Sequence, residues 1–155
     1  MSLLDKDSVK RAQKAIKDFD KSLGITILDN SARTAKDAAS SLNCDVGAIV
    51  KSLLFRTEDS FVLSLVAGDK RCSLNKLRKI TNKKNISMAS PKDVKTQTGY
   101  TIGGVSPIGH LKKVEIIIDN SLERFNELFA AAGHPNCVFK IDFNKIQKIT
   151  NGKVE

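Results

Sequence analysis

The chain has 155 residues and a mass of 17.0 kDa, enough for one domain that buries a core without disulfides or a structural metal. Hydrophobic residues make up 41% of it and charged residues 28%, which excludes a disordered chain. Its longest apolar run, 128–132, is far too short to span a bilayer, which excludes a membrane-spanning protein. The first residues lack the order of a secretory signal, so we expect one cytoplasmic domain over residues 1–155.

Cysteine usage argues against both a disulfide framework and a metal centre. Cys44, Cys72 and Cys137 are an odd number at wide spacings, which favours reduced thiols that serve as packing. His134 and Cys137 form a single weak pair of soft ligands, and no Cys-x-x-Cys is present. We therefore expect no metal and no other cofactor.

The charge is strongly positive. Lys and Arg number 26 against 17 Asp and Glu, a formal net charge of +9 that favours polyanionic partners. The excess concentrates in residues 69–85, where seven basic residues face Asp69 alone, a net charge of +6. These basic residues are Lys70, Arg71, Lys76, Arg78, Lys79, Lys83 and Lys84. The pattern indicates a nucleic-acid-binding face, and the alternative is a solvated face that only keeps the protein soluble.

The first half of the chain predicts two helices, a short strand and a hairpin. Apolar residues at spacings of three and four predict an amphipathic helix within residues 1–24, ended by Gly24. A short strand follows at 25–28, and then a small helix that Ser31 or Thr34 caps. The apolar segments 47–55 and 61–67 flank a polar connection, which predicts two buried antiparallel strands.

The second half alternates short helices and strands. Ser73 caps a basic helix, a strand covers 86–89, and Ser90 with Pro91 begins a helix that ends near Gly99. The remaining predicted elements are a strand at 114–119, a helix at 121–132, a last strand at 137–141 and a short amphipathic tail. The elements predict a mixed α/β fold, a central, largely antiparallel sheet surrounded by short helices.

Lys51 is an anomaly within an apolar strand. Period-two alternation places it on the same face as Ile49, Leu53 and Phe55, where an unpaired ammonium is costly to bury. We therefore expect Lys51 to reach something negative. The alternative is that this face turns toward solvent, or that the lysine stem runs past its apolar neighbours to water.

The glycine-rich segment 99–109 predicts a shaped loop, since it holds four of the nine glycines. Gly103 and Gly104 let backbone N–H groups approach a ligand closely, as in an anion-binding nest or oxyanion hole. A purely structural turn is the alternative. Ser106 lies four residues from His110, a spacing that is more typical of a serine holding a turn than of a catalytic pair.

Several motifs together resemble one family. They are Gly47-Ala48-Ile49-Val50-Lys51-Ser52-Leu53, Ala89-Ser90-Pro91, Gly99-Tyr100-x-x-Gly103-Gly104-Val105-Ser106-Pro107-x-Gly109, Asp119-x-Ser121-Leu122 and Ala132-Gly133. In order and spacing they are similar to the YbaK/ProX family of free-standing aminoacyl-tRNA editing domains, from about Thr34 to the end of the chain. The resemblance implies one α/β domain related to the editing domain inserted in bacterial prolyl-tRNA synthetases.

The resemblance also implies an activity, hydrolysis of the ester that joins a wrong amino acid to tRNA, with tRNA(Pro) expected. Lys51 would lie at the terminal adenosine, and Gly103 and Gly104 around the aminoacyl carbonyl. Further substrate contacts would come from Tyr100, Ser106, Pro107 and His134, and the acceptor stem would lie on Lys70, Arg71, Lys76, Lys79, Lys83 and Lys84. The expected partners are tRNA and prolyl-tRNA synthetase, with neither DNA nor a membrane.

The absence of a conventional nucleophile motif is compatible with this chemistry. An aminoacyl ester is already activated, and it needs positioning and oxyanion stabilisation more than a strong protein nucleophile. The resemblance implies that the attacking or proton-relaying group is a ribose hydroxyl or side-chain thiol of the substrate, or a held water. Two other classes stay open: a non-catalytic module that binds tRNA or docks on a synthetase, and a hydrolase of small acyl esters.

Two departures from the family pattern limit which of the family's properties can be expected of this chain. Residues 133–139 differ from the Gly-x-Arg-Gly form of the cysteine-editing members, so their acyl specificity is not carried over. Lys145 stands where relatives often carry an acidic residue. Asp142 either substitutes for that carboxylate or only caps the final helix.

Overall fold

Eight strands pair into one mixed sheet in the computed structural model, which describes residues 2–29 and 34–155. The strands are β1 (Ile25–Ile27), β2 (Ile49–Arg56), β3 (Phe61–Ala67), β4 (Ser87–Met88), β5 (Glu115–Ile118), β6 (Leu128–His134), β7 (Cys137–Ile141) and β8 (Lys153–Val154). The helices are α1 (Asp7–Phe19), α2 (Ala35–Leu42), α3 (Leu74–Thr81), α4 (Pro91–Thr98) and α5 (Phe143–Thr150). The predicted mixed α/β fold is confirmed.

The sheet has the order β1-β7-β6-β2-β3-β5-β8, with β4 beside β2. Antiparallel pairs join β1 to β7, β6 to β7, β2 to β3 and β2 to β4, whereas β2–β6, β3–β5 and β5–β8 are parallel. The predicted hairpin is therefore the centre of the sheet, paired from Val50 opposite Ala67 to Arg56 opposite Phe61.

One edge of β2 is paired throughout, and the other is interrupted. On the interrupted edge, β6 pairs with Ile49 and Val50, and β4 pairs with Phe55 and Arg56. Between these two pairings no other described strand joins β2, although the Ala89 N–H donates to the Leu54 carbonyl at 3.0 Å. The sheet thus splits beside residues 51–53, and this gap positions the candidate site.

The first helix belongs to the main core. Val9, Ala12 and Ile16 are fully buried and form one face of α1, which packs on β6. A short 3-10 turn, Leu3–Asp5, precedes it. Of the described helices, none is both long and apolar enough to cross a bilayer.

The predicted helix at 121–132 is wrong. A 3-10 turn covers Asn120–Arg124, and Leu128–His134 is strand β6, in which Leu128, Ala130 and Ala132 are buried. A short run of Leu, Phe and Ala fits either structure, and pairing with β2 and β7 on both sides selects the strand. The strand at 137–141 is confirmed, but it is not the last, because β8 follows α5.

Capping residues set most helix ends. Thr34, Ser73, Ser90 and Asp142 each accept a hydrogen bond from a backbone N–H in the first turn of the helix that follows. The alternative cap for α2, Ser31, lies outside the described residues. At the other end of α4, Gly99 adopts a φ of 80°, as predicted for a glycine that ends a helix.

The predicted end of the first helix at Gly24 is wrong, because α1 stops at Phe19. Asp20 takes an extended conformation, and its carboxylate accepts hydrogen bonds from the N–H and hydroxyl of Ser22, both shorter than 3 Å. The same carboxylate forms an ion pair with Lys145 of α5, at 2.9 Å. Asp20 therefore ends one helix and ties it to another.

Replacing this carboxylate, Asp20→Asn, is expected to lower the urea midpoint of unfolding at pH 7. The Ser22 hydrogen bonds and Lys145 hold the pKa of Asp20 below its ordinary value, so the ionised form stabilises the fold. That stability is present above an ordinary aspartate pKa of about 3.9 and is lost as the pH falls toward the lowered value.

Denaturant titrations at pH 7 and at about pH 2.5 measure the effect, with Asp18→Asn on the exposed face of α1 as the control. The difference between Asp20→Asn and wild type is expected to shrink at the lower pH. An undiminished difference there contradicts this account.

Candidate functional site

A cavity of about 520 Å³ opens at the gap beside β2. Its walls come from α2, β2, the start of α4, the glycine loop (residues 99–109) and the hairpin between β6 and β7. Most of the lining is apolar, including Ile49, Leu53, Val94, Val105, Phe129 and Val138. Among the described lining residues Lys36 and Lys51 carry charge, and none is Asp or Glu. The cavity suits a largely apolar group beside an anionic or hydroxyl-bearing one.

Lys51 lies at the cavity wall and is half-buried. Its Nζ donates a hydrogen bond to the backbone carbonyl of Lys70, in the segment that leads to α3. The negative group expected for Lys51 is thus a carbonyl oxygen, and within residues 2–29 and 34–155 Lys51 forms no ion pair. Its positive charge therefore remains available to a ligand.

The two adjacent glycines have different roles. Gly103 lines the cavity with a φ of 88°, and within the described chain its N–H donates no hydrogen bond. The Gly104 N–H donates to the Thr101 carbonyl at 2.9 Å and closes the turn. A Cβ on Gly104 would lie 2.9 Å from the Cα of His134, so the hairpin backbone requires glycine there. Gly103 faces the cavity, and Gly104 joins the loop to the hairpin.

Tyr100, Ser106 and Pro107 are buried and lie outside the cavity walls. The Tyr100 hydroxyl donates to the carbonyls of Ile108 and Gly109, at 2.9 and 3.1 Å, and burial raises its pKa. The Ser106 hydroxyl accepts from the Ile108 N–H at 3.3 Å, the turn-holding role that its sequence position suggests. The geometry gives these residues a part in shaping the loop.

Neither histidine faces the cavity as a base. His110 is half-buried, hydrogen-bonds the Ser106 carbonyl at 2.7 Å, and has a pKa lowered by burial. His134 accepts a hydrogen bond from the Asn136 N–H at the hairpin tip, and burial followed by the charge of Lys6 lowers its pKa. Pro135, beside His134, supplies the hairpin's contact with the cavity.

Arg11 of α1 holds both ends of the glycine loop, a role that sequence reasoning missed. Its Nε donates to the Gly109 carbonyl at 3.0 Å, and its Nη2 donates to the Gly99 carbonyl at 2.8 Å. The guanidinium also lies over the Tyr100 ring, 4.7 Å from the ring centroid. No local pattern marks Arg11, because its partners are about ninety residues away in the chain.

The predicted RNA-binding residues differ in their surroundings. Lys70, Arg71 and Lys76 are exposed around a second cavity of about 280 Å³ at the start of α3. Lys79 and Lys84 are also exposed. Lys83 forms an ion pair with Asp59 at 2.8 Å, which raises the pKa of the lysine and lowers that of the aspartate. The first three form a basic surface that adjoins Lys51 through the Lys70 carbonyl.

The Arg11 clamp generates a stability prediction. Arg11→Met removes two charge-assisted hydrogen bonds to loop carbonyls but retains an aliphatic chain, and it is expected to reduce the free energy of unfolding by about 2–3 kcal/mol. Amide hydrogen exchange in residues 101–110 is expected to quicken more than exchange in β3. Lys10→Met, its exposed neighbour, is the control. Wild-type exchange in the loop of Arg11→Met contradicts the clamp.

These features define a small α/β domain with an open binding cleft at an unpaired strand edge. Residues 29–149 match the family described as the aminoacyl-tRNA editing domain. The chain therefore belongs to the aminoacyl-tRNA editing domain family, as its motifs predict.

Three similar proteins extend this finding. A crystal structure described as a proposed trans-editing enzyme for prolyl tRNA synthetase has a TM-score of 0.92 and 34% identity, covering 97% of this chain and 96% of that one. The YwhH protein of Bacillus subtilis is 32% identical over 148 residues, which are 95% of this chain and 94% of YwhH. EbsC of Enterococcus faecalis, described as a proposed Cys-tRNA(Pro)/Cys-tRNA(Cys) deacylase, is 28% identical over 121 residues, 77% of this chain and 74% of EbsC.

Proposed function

We propose that this protein is a trans-editing deacylase that hydrolyses the ester between an incorrect amino acid and tRNA, with tRNA(Pro) as the substrate. The observation that carries the proposal is the cleft beside β2. It brings to one cavity a lysine that forms no ion pair and a backbone N–H, that of Gly103, that donates no hydrogen bond within the described residues. Membership of the editing family and the two relatives described as editing proteins support it. A tRNA substrate implies a cytoplasmic protein and prolyl-tRNA synthetase as its functional partner.

The chemistry needs little from the protein beyond position and charge. The oxygen of a water molecule adds to the ester carbonyl carbon. The Gly103 N–H donates to the oxyanion that develops on the carbonyl oxygen. The bond to the ribose oxygen then breaks, and that oxygen takes up the proton that the nucleophile loses. The described cavity walls hold no histidine or carboxylate, so solvent or substrate carries this proton.

Lys51 and the basic surface bind the RNA end of the substrate. The Lys51 ammonium meets the terminal adenosine, either at its phosphate or at a ribose hydroxyl. Lys70, Arg71 and Lys76 continue the positive charge away from the cavity toward the acceptor stem. Lys79 and Lys84 extend this surface along and beyond α3, whereas the Asp59 ion pair makes Lys83 the weakest contributor.

Lys51→Ala tests the anchor. Because the Lys51 side chain is half-exposed, the variant is expected to keep its fold and lose about 100-fold in kcat/KM, through loss of substrate position. The measurement is release of labelled amino acid from tRNA(Pro) carrying alanine, cysteine, serine, threonine or 2-aminobutyrate. Lys140→Ala, an exposed strand lysine on β7, is the control.

Selective release by the wild type, lost in Lys51→Ala, is the expected outcome. Undiminished release by Lys51→Ala contradicts the anchoring role. If neither protein releases any amino acid while tRNA binding persists, the chain is a binding module and the deacylase proposal is wrong. Release from simple esters with no response to RNA identifies a hydrolase of small esters.

Charge reversal tests the basic surface. The double variant Arg71→Glu with Lys76→Glu is expected to weaken tRNA binding and to reduce the slope of log affinity against log salt by about two. The control, Lys10→Glu with Lys17→Glu on the exposed face of α1, changes the net charge equally. Filter-binding titrations across a range of salt give both slopes. Equal slopes for the two double variants contradict this footprint.

A further inference from the structure

One hydroxyl in the cavity wall is unsatisfied. Ser52 lines the cavity, and its Oγ is buried with no hydrogen-bond partner, the only such side-chain nitrogen or oxygen atom in the described parts of the chain. Buried polar groups are nearly always paired, and leaving one unpaired destabilises the folded state. An unpaired hydroxyl in the wall of a binding cleft calls for a functional explanation.

The backbone of Ser52 also faces the gap in the sheet. The Thr57 N–H donates to the Ser60 carbonyl at 2.9 Å, which sets the alternation of hydrogen bonds along the β2–β3 hairpin. Counting back from Thr57, the N–H and C=O groups of Ser52 point away from β3, as does the Leu54 carbonyl, which accepts from the Ala89 N–H. Pairing with β6 ends at Val50, so both backbone groups of Ser52 meet the open edge.

The charges around the cavity restrict what this residue can receive. An aminoacyl ester carries a free α-ammonium group, and a buried ammonium needs hydrogen-bond acceptors. Among the described lining residues no carboxylate is present, and the two charged side chains, Lys36 and Lys51, are cations. Neutral oxygen atoms must therefore receive the ammonium. Ser52 offers two, its carbonyl and its hydroxyl, in the wall of the cavity that Gly103 also lines.

We propose that Ser52 is the receptor for the α-ammonium group of the aminoacyl ester, a role that rests on the proposed function. The side chain turns about χ1 from its buried position, and Oγ and the backbone carbonyl each accept a hydrogen bond from the ammonium. Held at this edge, the aminoacyl group directs its ester carbonyl toward Gly103. The Ser52 hydroxyl gains hydrogen-bond partners when substrate binds.

Binding of non-hydrolysable analogues tests this assignment without requiring catalysis. The probes are 3′-(alanylamino)-3′-deoxyadenosine, in which an amide replaces the ester, and its N-acetyl derivative, which has no ammonium. Calorimetric titration of Ser52→Ala is expected to show about 10-fold weaker binding of the free-amino probe and unchanged binding of the N-acetyl probe. Ser64→Ala, which alters a buried, hydrogen-bonded serine of β3, is the control expected to bind as wild type.

Thermal unfolding separates this role from a structural one. Removing an unpaired buried hydroxyl is expected to leave Ser52→Ala as stable as wild type or more so, while its binding weakens. Unchanged binding of the free-amino probe overturns the inference, and equal losses on both probes overturn the ammonium assignment. Release of amino acid from charged tRNA is measured separately, so a failure of the deacylase proposal stays distinct from a failure of this one.

Discussion

The guanidinium of Arg11 fixes the glycine loop, and that loop forms one wall of the cleft. Two charge-assisted hydrogen bonds hold carbonyls ten residues apart in the chain, one at each end of the loop. The clamp is rigid because α1 is itself fixed: a Cβ on Gly133 would lie 2.5 Å from the Ser8 carbonyl oxygen, so helix and strand are in direct backbone contact. Arg11 lies outside the segment that matches the family, yet it supports the family's most specific motif.

The cleft is formed by the backbone more than by reactive side chains. Its polar features include an interrupted strand edge, the Gly103 N–H, which donates no hydrogen bond within the described residues, and a lysine that donates to a carbonyl oxygen. Such groups suit an activated ester, because fixed dipoles stabilise developing charge with little reorganisation. A stronger general base would be of use mainly for a less reactive bond. Arrangement around the cavity, more than the identity of any nucleophile, therefore accounts for the proposed reaction.

Structural features that depend on residues close together in the chain could be predicted from the sequence. The β2–β3 hairpin, the serine caps and the glycine at the end of α4 follow from local chemistry, and the structure confirms them. The strand at 128–134 could not be predicted locally, because its apolar run fits a helix equally and only pairing on both sides decides. Within the site, too, contacts between distant segments decide the roles of several residues.

Site residues that act at a distance were harder to predict. Lys51 was recognisable because a charge interrupted an apolar alternation, and Gly103 and Gly104 because they are adjacent glycines. Gly103 faces the cavity and Gly104 contacts the β6–β7 hairpin, and no local sequence pattern reveals this difference. The contacts of Arg11 form only when segments distant in the chain come together. Whether the Ser52 hydroxyl finds a partner among the described residues also depends on that packing.

The short pairing between β2 and β6 has a geometric consequence. The two strands pair at only two positions, Ile49 with Phe129 and Val50 with Ala130. Just beyond this pairing, between Ala131 and His134, β6 leaves its regular register with β7. The point at which β2–β6 pairing ends, at Val50 and Ala130, therefore sets where the cleft begins along β2. Insertion or deletion of a single residue in β6 would turn the side chains beyond it to the opposite face of the sheet, including those that line the cleft. Changes of strand length should therefore alter the shape of the cleft more coarsely than side-chain replacements, which make the fine adjustments.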